Sequence, residues 1–142
     1  MSSLDLCALL GRSSRAPLVR AALSLLIGLY GLYDRSDAVA RWYRIHPERG
    51  AHPAFAEVLW DVIASDADRG DQVPMSDGER AVLLLAASLA TGYRVDLARL
   101  LPLLDDTHAA ALTMAVYSAL RGRDAITSEW SALAFAGQED RS

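Results

Sequence analysis

Residues Ser76–Gly92 read SDGERAVLLLAASLATG. Ser76 stands three positions before Glu79, the spacing of a capping box. In that arrangement the Ser hydroxyl accepts the backbone N–H of residue 79, and the Glu carboxylate accepts that of residue 76. Asp77 adds negative charge where the helix dipole favours it. Ala81–Ala90 then runs ten residues with one polar side chain, Ser88. A helix that is apolar on every side must be covered on every side. Gly92 supplies the left-handed residue that ends many helices. The stretch predicts a central buried helix with other helices packed around it.

The composition agrees with that reading. The chain has 142 residues, 52% of them hydrophobic, enough for one domain with a sizeable core. Ala and Leu dominate, while Val, Ile, Thr, Phe and Tyr are sparse, which favours helix over strand. All fourteen basic residues are Arg, and neither Lys nor Asn occurs. An Ala and Arg excess of this kind points to a high-GC coding genome, such as a bacterial one, rather than to a nucleic-acid partner. Met1–Pro53 carries seven Arg against four acids, and the remainder carries seven against fourteen. Cys7 is the only cysteine, so an intrachain disulfide is impossible, and a reducing cytoplasm is the expected setting.

Further helices are expected on both sides. Met1–Gly11 forms a short one, with Ser3 as cap. Leu18–Tyr33 forms the most hydrophobic segment of the first half, opened by Pro17. Only thirteen residues between Arg20 and Asp34 are uncharged, whereas a membrane span needs about twenty, so no span is expected. Ser36 should cap Asp37–Ile45. His46–Pro53, HPERGAHP, reads as a loop, because each Pro pushes the preceding His out of helical geometry. Phe55, Val58, Leu59, Val62 and Ile63 recur at helical spacing and predict a helix from Pro53 to about Ser65. Ala67–Met75 is the longest polar loop and a candidate hinge. Asp96 should cap Leu97–Leu101, and Asp105 or Asp106 should cap Thr107–Leu120, with Leu112, Val116 and Leu120 on its inner face. Thr127 or Ser128 should cap a last helix, Glu129–Ala136, docked by Ile126, Trp130 and Leu133. No strand pattern is read anywhere. The expected fold is therefore all-α: one domain over 1–142, with six to eight helices in an irregular orthogonal or bundle arrangement around Ala81–Ala90.

Several stretches carry residue types suited to chemistry. Met75–Arg80, MSDGER, resembles the signature turn of ABC ATPases, a Ser-x-Gly-Glu turn opening a helix. The resemblance covers six residues and implies a phosphate at that turn, presented by a Walker A loop on another subunit. This chain has no Walker A loop, and Asp77 puts a carboxylate where that phosphate would lie. A capped helix start accounts for every residue of the turn. His46, His52 and Glu57 offer ligand types suited to zinc, although their spacing matches no finger. Asp66–Asp71 departs from a calcium loop at positions five, six and twelve. No cofactor motif is present. Arg35, Arg41, Arg44 and Arg49, interleaved with Trp42 and Tyr43, combine charge with stacking surface, as nucleic-acid binders do.

The leading expectation is a non-enzymatic helical protein-interaction module: an adaptor, assembly subunit or regulator. Its apolar content for its length is the reason, since uncovered apolar surface marks a partner site. The alternatives are a nucleic-acid binder through Arg35–Arg49 and a metal-dependent or other enzyme through His46, His52 and Glu57. A homodimer is also expected through the Leu18–Tyr33 helix. There Ser24, Gly28 and Gly31 permit close approach, and Tyr30 and Tyr33 are types enriched at interfaces.

Overall fold

The computed structural model describes residues 1–70 and 72–123. Among them are seven α-helices and a two-stranded antiparallel sheet. The chain is mostly helical, and the all-α expectation is corrected by one β-hairpin. The helices are α1 (Ser3–Gly11), α2 (Pro17–Ile27), α3 (Ser36–Trp42), α4 (Trp60–Arg69), α5 (Asp77–Thr91), α6 (Leu97–Leu100) and α7 (Asp106–Leu120). The strands, β1 (Tyr43–His46) and β2 (Phe55–Val58), lie between α3 and α4, and a 3₁₀ turn (Leu101–Leu103) follows α6.

Helix α5 forms as its sequence dictates. Ser76 accepts the Glu79 N–H, Glu79 accepts the Ser76 N–H, and Gly92 closes the helix at φ 75°. Ala81–Ala87 are buried, while Ser88, Leu89 and Ala90 are half-buried. Helices α2 and α4 pack along α5, and α7 packs on α2 and α5. The core therefore centres on the α2–α5 pair.

Helix α2 is shorter than its apolar run. It ends at Ile27, and Gly31 then takes a left-handed φ of 76°, so Leu18–Tyr33 is not one helix. Leu29, Leu32 and Tyr33 still point into the core from the turn that follows. Small boundary differences have local causes. Ser2 rather than Ser3 caps α1, because Ser2 and Asp5 make the reciprocal capping pair. Arg35 rather than Ser36 stands at the cap of α3 and makes no side-chain cap bond. Helix α4 runs on to Arg69, which shortens the expected hinge loop at 67–75. Asp96 and Asp105 cap α6 and α7 as expected.

The largest departure is the hairpin. The helices expected over Asp37–Ile45 and Pro53–Ser65 give way at their facing ends to strands, paired Tyr43↔Val58, Arg44↔Glu57, Ile45↔Ala56 and His46↔Phe55. The two His-Pro pairs that exclude helix at the loop leave its flanks extended, and extended flanks can pair. Tyr43 and Ala56 are buried on one face, and the Tyr43 hydroxyl donates to the Tyr33 carbonyl at 2.8 Å. Arg44, His46, Phe55 and Glu57 share the other face, as alternation requires.

Helix α7 is also turned relative to expectation. Ala115 and Ser118 are its buried residues, Leu112 and Val116 are half-buried, and Leu120 is 78% exposed. Small side chains let α7 approach α2 closely, so the leucine face is not the one buried. The helix expected over Glu129–Ala136 lies outside the described residues.

Candidate functional site

The outer face of the hairpin gathers the residues of both alternative readings. Arg44 on β1 reaches Glu57 on β2 at 3.2 Å, the cross-strand pair set by register. His46 stacks on Phe55, with ring centroids 4.5 Å apart and planes within 8°. Its Nε2 lies 3.8 Å from Glu57 and makes no hydrogen bond. Glu57 thus stands between a guanidinium and an imidazole. His52 does not join them: it lies in the exposed loop, where its backbone pairs with Arg49. Among the described residues, no group of three or more His, Cys, Asp or Glu side chains is placed to hold a metal ion. The hairpin therefore brings together two of the three candidate ligands.

The arginines meet carboxylates. Arg35 holds Asp37 through two hydrogen bonds of 2.8 and 2.9 Å and also donates to the Pro74 carbonyl. That guanidinium keeps the Asp37 carboxyl below its ordinary pKa. Arg41 grips Asp66 through two hydrogen bonds of 2.8 Å each. Arg44 pairs with Glu57, and Arg49 is exposed on the loop. The stacking surface is internal, because Trp42 is fully buried and Tyr43 nearly so. Burial also pushes the Tyr43 hydroxyl pKa up.

Sequence reasoning missed Asp66, which ties α3 to α4. It is 3% exposed and accepts two bonds from Arg41 and one, at 2.9 Å, from the Trp42 indole N–H. Burial raises its pKa, but the bonds from Arg41 and Trp42 and the Arg41 charge outweigh this and hold the carboxyl below its ordinary value. Its spacing from Arg41 carried no local signal. A buried position for Asp66 becomes legible only once α4 extends past Ser65.

The residues expected at a dimer face are divided. Ser24 is buried and donates to the Ala21 carbonyl at 2.7 Å, Tyr33 is buried, and Gly28 is half-buried. Tyr30 and Gly31 lie at the surface.

Met1, Leu4, Leu18 and Ile45 are exposed elsewhere, and three exposed leucines in one short segment follow α5. Leu97, Leu101 and Leu103 are 53%, 44% and 42% exposed within seven residues. Tyr117 and Leu120 are exposed near the end of α7. No described helix is long and apolar enough to cross a membrane. No family model, curated protein or solved structure matches this chain.

Proposed function

We propose that this chain is a small helical interaction module, an adaptor, assembly subunit or regulator, that binds another protein through Leu97–Leu103. The observation that carries the reading is the exposure of Leu97, Leu101 and Leu103 over α6 and the 3₁₀ turn. Leu97 and Leu101 stand four apart, so helical spacing places them on one side of this segment. Single exposed leucines are ordinary, but three in so short a segment make an apolar patch of the kind that partners cover. The hairpin face suits this role less well, because its charges already compensate one another. A homodimer through Leu18–Tyr33 would rest mainly on Leu18, Tyr30 and Gly31, since Ser24 and Tyr33 are inside the chain.

The double variant Leu97→Glu/Leu101→Glu tests the reading. Both side chains meet water, so helical circular dichroism and melting temperature stay close to wild type. Proteins that co-purify with the tagged wild-type chain are lost with this variant and kept with Arg44→Glu. Their retention by the leucine variant, or their release by nuclease, contradicts the proposal.

A further inference from the structure

A cleft of about 330 Å³ opens between the start of α1 and the start of α3. Ser2, Ser3 and Leu6 line one side, Ser36 and Val39 the other, and Asp34 lies in the turn leading to α3. The lining is thus an apolar floor, three hydroxyls and one carboxylate. Ser3 is held in place by the Tyr33 hydroxyl at 3.0 Å.

Asp34 differs from the acids around it. Asp5 closes the capping box on Ser2, and Asp37 is gripped by Arg35. Met1 also lines the cleft, and its amino group acts on Asp5. Asp34 is half-buried and makes no hydrogen bond or ion pair with the described residues. A carboxylate that meets no partner within the described chain is available as a counter-ion for a bound cation. The helix starts do not make this an anion site, because Asp5 and Asp37 already meet the positive ends of α1 and α3.

We propose that this cleft binds the cationic head of a short alkylammonium or alkylguanidinium group, with Asp34 as its counter-ion. The Ser3 and Ser36 hydroxyls accept remaining donors of the head, and Leu6 and Val39 pack on its alkyl stem. An ammonium brings three donors and a guanidinium five, so one carboxylate and neighbouring hydroxyls suit either. The volume lies at the small end of ligand pockets, enough for such a head and stem but too small for a nucleotide. The site involves other elements than the Leu97–Leu103 surface and stands independently of it.

The test is a titration of the ¹⁵N-labelled full chain with n-butylammonium chloride at fixed ionic strength, followed by amide chemical shifts. n-Butanol and sodium n-butyrate serve as the neutral and anionic counterparts. Saturable shifts at Ser3, Ser36 and Val39 are expected, with a Kd of the order of millimolar and at least about tenfold weaker binding of butanol. Asp34→Asn, nearly isosteric, should keep the spectrum and lose the ammonium response. Nα-acetyl-lysine methylamide identifies the source of the head. Binding equal to butylammonium assigns the cleft to a protein side chain, and much weaker binding assigns it to a free amine; both keep the site. Absence of shifts up to about 50 mM, equal binding of butanol, preference for butyrate, or an unchanged response in Asp34→Asn overturns the proposal. The comparison of the three ligands on wild type does not depend on how the variant folds.

Discussion

Asp66 accepts three hydrogen bonds, two from Arg41 and one from the Trp42 indole, at a position 3% exposed. Weakening the acceptor leaves the buried Trp42 indole N–H poorly matched and separates Arg41 from its carboxylate, which costs more than the group itself contributes. Asp66→Asn should therefore lose about 2–3 kcal/mol in urea unfolding at pH 7. The carboxyl is held below its ordinary pKa in the folded chain, so its contribution is complete above about pH 4–5 and fades as pH falls through the folded value. The stability gap between wild type and Asp66→Asn should thus narrow from pH 7 to pH 3. A gap that is constant across that range contradicts the charged arrangement. Nothing near Asp66 in the sequence announces this role. Its partners are 24 and 25 residues away and meet it only through the docking of α3 on α4.

At the scale of elements, legibility followed locality. The start and end of α5 are written in side chains that act within one turn, so Ser76, Glu79 and Gly92 could be read directly. Ser76→Ala should cost about 1 kcal/mol. Leu83→Ala, at a fully buried site, should cost about 2–5 kcal/mol by transfer and cavity terms. Leu120→Ala should change stability by less than about 0.5 kcal/mol, because Leu120 faces water. Thermal melts giving Leu120 the larger effect would reverse the orientation of α7. The hairpin was harder to read, because Phe55, Val58 and Leu59 fit a helical period as well as a strand followed by a helix start. The alternation in Tyr-Arg-Ile-His over 43–46 and the extended loop between the His-Pro pairs were the available signals. Helix α7 misled for another reason. Its face is chosen by how closely Ala115 and Ser118 let it approach, and hydrophobicity alone favours the bulkier Leu112–Leu120 stripe.

For the whole molecule, the chain's charge and apolar surface are arranged differently. The expected basic patch is largely neutralised within the fold, since Arg35, Arg41 and Arg44 each face a carboxylate and Trp42 is internal. Candidate ligand residues were legible by type but not by grouping: His46 met Glu57, and His52 stayed in the loop. Among the described residues, exposed leucines recur most closely in the segment after α5, at Leu97, Leu101 and Leu103. The proposed function requires that another protein cover Leu97–Leu103. A photoreactive amino acid placed at position 101, and separately at positions 30 and 49, tests it in living cells. Protein adducts are expected from position 101, and their loss when Leu97 is also changed to Glu. Adducts arising only from position 49, or only a doubled chain mass from position 30, would contradict it.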